Sequence, residues 1–330
     1  MMPPMRPIPT TSGALPLLPL PPLLLLLLPL TACFSKPEPP SSCLDGSCLD
    51  VIARDEVGAG ELVIDGGKAY WTIDSLAGSI RACNVDACAP ETLAEEQKAP
   101  HSMLVEGEDV IWATGTTMRR VNRDRPPPQP VIQIDDNAPH QVQMVRHPPR
   151  YFYWSVDDGF WRCDYDATET CTGKTTLPSL LGYRGPLTLD KNEQLWVTGA
   201  DGMGAYSLVT GALQRTFPIG GVRTLVANET HVFAVQADAT EVLALSVSAP
   251  SDAAPTRIRT GGAPRALALD GTALFVVEQA GRIVRIPILP DLGEPEEIAV
   301  GLPRIDAIAL SLDRIYLIAD GRLIAYLPKR

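Results

Sequence analysis

One aromatic residue returns seven times along this chain in the same strand-like setting and at a nearly constant interval. It is Trp71 in AYWTID, Trp112 in VIWATG, Trp154 in FYWSVD, Trp196 in QLWVTG, Phe233 in HVFAVQ, Phe275 in ALFVVE and Tyr316 in RIYLIA. The steps between them are 41, 42, 42, 37, 42 and 41 residues. Self-similarity on that scale means that one supersecondary unit is built repeatedly and that each copy buries its apolar faces on its neighbours. No other feature restricts the fold as severely, because any architecture must accommodate seven equivalent units.

Each unit has the same internal order. An apolar run such as LVID, LTLD or ALALD comes first, followed by a polar turn, the aromatic run, a Gly-containing turn and a third run such as SIRACN, GAYSLV or RIVRIP. A polar or Pro-rich stretch and a weaker outer run complete the unit. Four short strands in about 40 residues is the length of one β-propeller blade. The first run is nearly all apolar, as a strand buried near an axis should be, and the outer runs alternate. The 32 prolines, 26 glycines and 45% hydrophobic residues fit many strands, many turns and a substantial core. The fold class is therefore all-β, a seven-bladed β-propeller over residues 49–330. The last unit has only three strands, ending at LIAYLPKR, while LDVIARDEV (residues 49–57) stands spare before the first unit. Pairing that segment as the outer strand of the last blade closes the ring and removes an open edge. Two stacked β-sandwiches would not need such a repeat.

The first 32 residues read as an address. Residues 14–30 (ALPLLPLPPLLLLLLPL) carry no charge, and the only basic residue before them is Arg6. Five prolines interrupt this 17-residue tract, whereas a spanning helix needs about 20 continuous apolar residues. A secretory h-region is the better reading. Leu30-Thr31-Ala32-Cys33 resembles the lipobox of bacterial lipoproteins. That resemblance implies a signal peptide over 1–32, cleavage before Cys33, lipidation (palmitate among the acyl chains) of Cys33 and a membrane anchor at the cell envelope. Phe34 in place of an aspartate favours the outer membrane if the cell is Gram-negative. Residues 33–48 then form a tether, whose Pro-rich part FSKPEPPSS favours an extended path. Without residues 1–32 the chain holds 27 basic and 39 acidic side chains, a net charge of −12. Such a surface disfavours nucleic acid.

Six cysteines remain after Cys33, an even number in an exported chain, and they fall into three close pairs. Cys83 and Cys88 flank the turn after the third strand of the first unit, and Cys163 and Cys171 flank the matching turn of the third. Residues facing each other in a hairpin lie near disulfide range. Both pairs are expected to be oxidised, and Cys43 with Cys48 to close a third small loop. Ligand sets for zinc are absent, and neither a metal nor a cofactor is assigned.

The units resemble the NHL, YWTD and streptogramin-lyase-like propeller families, through Ala69-Tyr70-Trp71-Thr72-Ile73-Asp74 and through the proline before the inner strand in APHS, APHQ and APRA. The resemblance covers residues 49–330 and speaks to fold; function lies in sites grafted onto it. HExxH, GxSxG, P-loop and Rossmann patterns are missing. His101 and His140, however, precede the inner strands of the second and third units, where later units place Arg184, Arg223, Arg265 and Arg304. Loops entering inner strands converge at one mouth of the channel, so these six residues are the candidate ligand site, a cationic ring for a small anion or for a protein partner. The competing reading pairs the arginines with acids such as Asp190, Asp270 or Asp306 and makes them links between blades. Tyr151, Phe160, Trp161 and Tyr183 form an aromatic group near the third unit, read as inter-blade packing in preference to a protein-binding hot spot. The leading functional reading is an envelope-anchored binding or scaffold module. The alternative, implied by the streptogramin-lyase-like resemblance, is a metal-assisted lyase or hydrolase with His101 or His140 as base.

Overall fold

The structure is a computed structural model and describes residues 49–114, 117–125, 132–135, 145–147, 151–156, 159–165, 171–177, 180, 183–192, 194–289 and 291–326. The segment expected to be a signal peptide (residues 1–32), Cys33, Cys43, Cys48 and His140 lie outside the described residues. The described strands form seven antiparallel four-stranded sheets, one for each repeat of the aromatic. We number the blades 1 to 7 in chain order. Their inner strands are Ala59–Asp65, His101–Glu106, Val145–His147, Tyr183–Leu189, Val222–Ala227, Pro264–Leu269 and Ile305–Leu310. From blade 3 round through blade 7 to blade 2, successive inner strands pack side by side.

Blade 7 takes its fourth strand from the other end of the propeller. Leu49–Ala53 pairs antiparallel with Arg322–Tyr326, with Val51 opposite Ile324. The strand stops at Ala53, short of residue 57, because Asp55 turns into the left-handed region at φ 62° and Gly58 follows at φ 83°. That turn swings Glu56 inward, where its amide donates to the Gly321 carbonyl at 2.8 Å. In blade 1 the inner hairpin closes through Gly66 and Gly67, both at positive φ, between the register partners Asp65 and Lys68. A two-residue turn whose twist matches its strands demands that conformation, and glycine adopts it without strain.

The core lies between blades. Phe275, Val277 and Ile283 of blade 6 pack against Ile305, Ile315 and Leu317 of blade 7. Tyr316, Ile318 and Leu323 of blade 7 pack on Leu62 and Trp71 of blade 1, and Tyr70 and Ile80 of blade 1 on Met103 and Trp112 of blade 2. The aromatic strand is sandwiched on both faces, so Trp71, Trp112, Trp196, Phe233, Phe275 and Tyr316 are all buried. Each such side chain contributes about 1.5–3 kcal/mol of burial.

Burying an indole requires an acceptor for its N–H. Trp71 Nε1 donates to Glu56 Oε2 at 2.9 Å, and Arg81 Nη1 donates to the same oxygen at 2.9 Å. Trp112 Nε1 donates to Gln97 Oε1 at 3.3 Å, joined by Arg119 Nη1 at 3.0 Å. Arg81 and Arg119 are the register partners of the two tryptophans, so the same cluster is built twice. In blade 4, Trp196 Nε1 donates to Asp190 Oδ2 at 2.8 Å, and the Arg215 guanidinium lies 5.5 Å from the ring centroid.

Cys83 and Cys88 are bridged, with Cα atoms 5.0 Å apart. Cys163 is also disulfide-bonded; the side chain of its expected partner Cys171 lies outside the described residues. Phe160 is buried and, with half-buried Tyr183, belongs to the core between blades 3 and 4, as inter-blade packing requires. Trp161 is half-buried, and the Tyr151 side chain lies outside the described residues.

Candidate functional site at the channel mouth

All inner strands run the same way along the axis, and the end at which they begin is the mouth. In six of them, among the described residues, the register with the second strand slips close to that end. The slips fall between Ala59 and Leu62, His101 and Leu104, Tyr183 and Leu187, Val222 and Thr224, Pro264 and Ala266, and Ile305 and Ala307. A β-bulge leaves its extra residue unpaired and re-aims the side chain. The bulges therefore decide which groups face the axis at the mouth.

Arg223, Arg265 and Asp306 occupy equivalent bulge positions. Each lies three residues before the partner of its repeat aromatic, these partners being Val226, Ala268 and Ala309. Arg304 is two residues earlier than the equivalent place, so alignment on the shared proline-arginine pair puts it out of register. The blade 7 counterpart of Arg223 and Arg265 is an acid. Arg265 Nη2 donates to Asp306 Oδ1 at 2.9 Å, across the junction of blades 6 and 7, and Arg304 Nε lies 3.0 Å from the same oxygen. Arg223 Nη2 donates to the Pro264 carbonyl, across the junction of blades 5 and 6. The result is a continuous row from Arg223 to Arg304 in which Arg265 and Arg304 share one carboxylate and Arg223 is held by a backbone carbonyl.

The other expected acids have different duties. Asp190 accepts the Trp196 indole N–H and the amides of Asn192 (2.7 Å) and Gln194 (3.1 Å). Asp270 caps its own hairpin through the amides of Thr272 (2.6 Å) and Ala273 (2.8 Å). His101 starts the inner strand of blade 2, with Nδ1 2.9 Å from the Ala99 carbonyl, so that nitrogen carries the hydrogen. Arg184 contributes its backbone to the inner strand of blade 4; its side chain is outside the described residues. Arg223, Arg265 and Arg304 are thus gathered in one row, while His101 stands at the blade 2 side of the mouth.

Below the row, six inner strands line an open cavity of about 480 Å³ on the axis. Its charged and hydroxyl-bearing lining is Glu61, Ser102, Thr188, Thr224, Arg265 and Asp306, and its apolar lining includes Val63, Leu189, Leu267 and Ile308. Glu61, invisible in the sequence as a site residue, accepts the Met103 amide at Oε2, 2.6 Å away. Burial pushes its carboxyl above the usual carboxylate value, opposed by the amides of Met103 and Ser102 and by His101. The turn that offers those amides is strained for non-glycine residues, with Ala99 at φ 45° and Ser102 at φ 52°. Backbone held this way is found where surrounding structure over-determines it, often at functional sites. Among the described residues, no three His, Cys, Asp or Glu side chains form a group able to hold a metal ion.

Neither a family model nor a curated protein matches this sequence. Solved structures do match in fold. The chain is similar to virginiamycin B lyase from Staphylococcus aureus, at 16% identity over 86% of this chain and 98% of that one, with a TM-score of 0.67. It is similar to the Pan2 WD40 domain of Neurospora crassa, at 10% identity over 88% and 98%, with a TM-score of 0.66. It is also similar to BamB from Moraxella catarrhalis, at 14% identity over 82% and 85%, with a TM-score of 0.56. At these identities the likenesses establish a β-propeller repeat domain and say nothing finer about what the mouth does.

Proposed function

We propose that this protein is a binding module of the cell envelope, anchored through lipid on Cys33, whose propeller receives an anionic group at the mouth on the side of blades 5 to 7. The ligand is a small molecule bearing a carboxylate or phosphate, or a protein segment bearing one. The observation that carries this reading is the row of Arg223, Arg265 and Arg304, in which the single carboxylate of Asp306 pairs with Arg265 and Arg304 and Arg223 meets only the Pro264 carbonyl. Arg223 is satisfied by a carbonyl, which does not neutralise its charge. The nearby buried Glu278 is held by Arg282 of its own blade, with Nε to Oε2 at 2.6 Å. The row therefore keeps a surplus of positive charge on a protein whose net charge after cleavage is −12. A local field of opposite sign to the mean draws an anion to that place.

The propeller fold is compatible with either kind of ligand. Virginiamycin B lyase has been solved with quinupristin, and a chain of the mitotic checkpoint complex shares this fold at 11% identity with a TM-score of 0.64. The test is calorimetric titration of the purified chain with acetate, citrate, phosphate and sulfate, alongside the double variant Arg223→Ala, Arg265→Ala. Saturable binding that weakens with salt and falls about 10- to 100-fold in a folded double variant is expected, since a hydrogen bond to a charged group contributes about 1.5–3 kcal/mol. Absence of binding by the folded wild type, or equal binding by the variant, would overturn the reading.

A further inference from the structure

The arginine row accounts for one end of a ligand. The cavity beneath it has a second pole that the row does not use. Glu61, from blade 1, lines the same cavity as Arg265, from blade 6. Its carboxylate accepts from the backbone amides of Met103, at Oε2, and of Ser102. It makes no ion pair with Arg265, which is committed to Asp306. An acid and a base that share a cavity without meeting leave a gap between them, and each retains the ability to bind a group of the opposite charge. The mouth end of the cavity thus has an acceptor on one wall and a donor on another.

The wall changes character along the axis. Counted from the repeat aromatics, Leu267 and Ile308 line the cavity level with Glu61, and Val63 and Leu189 line it further along, beside Thr188. Apolar side chains level with the acid and beyond it disfavour a ligand charged throughout, because desolvating its inner charge has no compensation against them. They accept a ligand that has both charges at one end and hydrocarbon at the other. The volume, about 480 Å³, lies within the roughly 300–1,000 Å³ typical of small-molecule sites.

We infer that the axial cavity takes a free α-amino acid with an apolar side chain, its carboxylate at Arg265, its ammonium at Glu61 and its side chain directed along the channel onto Val63, Leu189, Leu267 and Ile308. This rests on the anion-binding reading of the mouth and narrows it to a zwitterion. The ammonium donates to Glu61, Ser102 and Thr224 supply hydroxyls within the same lining, and the carboxylate meets the guanidinium without having to break the Asp306 pair, since Arg265 has five N–H donors.

The test compares four probes on the same full chain by calorimetric titration: leucine, N-acetyl-leucine, leucinamide and glutamate. Leucine is expected to bind, and each of the other three to bind at least about tenfold more weakly, because acetylation removes the ammonium, amidation removes the carboxylate and glutamate puts a charge against the apolar side chains. The Glu61→Gln variant is expected to lose about tenfold in leucine affinity while leaving N-acetyl-leucine unchanged. Should that variant fail to fold, the four probes on the wild type decide the matter alone. N-acetyl-leucine binding as tightly as leucine would overturn the zwitterion inference and leave the anion site standing. If no carboxylate of any kind binds, both readings fall together.

Discussion

Replacing Glu56 with alanine should destabilise the propeller by about 3 kcal/mol, and the structure shows why. The Glu56 side chain is 3% exposed and accepts from both the Trp71 indole and the Arg81 guanidinium through one oxygen. Removing it leaves the indole N–H of Trp71 without an acceptor in a fully packed environment, which costs about 1–3 kcal/mol. It also leaves Arg81 without its counter-charge. A fully buried pair broken in this way costs about 3–5 kcal/mol, but Arg81 is 26% exposed and water can reach part of it, so the lower end applies. The assay is urea unfolding followed by tryptophan fluorescence, in which about 3 kcal/mol at a slope of about 3 kcal/mol/M moves the midpoint by about 1 M. Glu56→Gln keeps an acceptor in place and should lose only about 1 kcal/mol. A Glu56→Ala midpoint indistinguishable from wild type would show that the buried cluster does not hold the first blade, and the account of why the repeat aromatic is tolerated as tryptophan there would fail.

Other consequences follow from the same geometry. A Cβ at Gly262 would stand 2.3 Å from Glu278 Oε2, so Gly262→Ala must displace the Glu278–Arg282 pair and should lower stability by about 1–3 kcal/mol in the same unfolding assay. Replacing Cys83 and Cys88 together by serine removes a cross-link five residues apart in sequence and should cost about 2 kcal/mol, or less if the reduced loop retains structure. Glu61 is held above its ordinary value near 4.5, so the folded state binds its proton more tightly than the unfolded chain does. Its contribution to stability is present below that value and is lost as pH rises through the raised one. Unfolding midpoints measured across this window should fall less steeply with pH in Glu61→Gln than in wild type.

The architecture was legible because the physical demand repeats. A strand packed on both faces by neighbouring blades must be apolar with one large ring, so Trp71, Trp112, Trp196, Phe233, Phe275 and Tyr316 mark the blades even where the rest of the unit diverges. The spare segment before blade 1 was recognisable because the last unit lacks a fourth strand. Where that strand stops was not, since only the left-handed turn at Asp55 decides it, and aspartate occurs in many conformations. The mouth was legible in part for a related reason. Pro264-Arg265 and Pro303-Arg304 look alike as letters, but register is counted back from the aromatic, and by that count Asp306 is the partner of Arg265. Glu61 escaped notice because it lies one residue before the partner of its repeat aromatic, the place that blades 6 and 7 fill with Leu267 and Ile308, and not at the place of Arg223 and Arg265. Nothing in the local sequence announces an acid there as a site residue. The amides of Ser102 and Met103 that receive it depend on a backbone conformation at Ser102 that serine rarely adopts.

Anomalous diffraction from crystals grown with 4-bromobenzoate would test the central claim most directly, because the probe is chemically inert and carries one carboxylate and one locatable heavy atom. The account predicts a bromine peak in the axial cavity beside Arg265, with the carboxylate oriented toward the row formed with Arg223, and loss of that peak in crystals of the Arg223→Ala, Arg265→Ala protein. A cavity without bromine in the wild type, with peaks only on the outer surface, would contradict it.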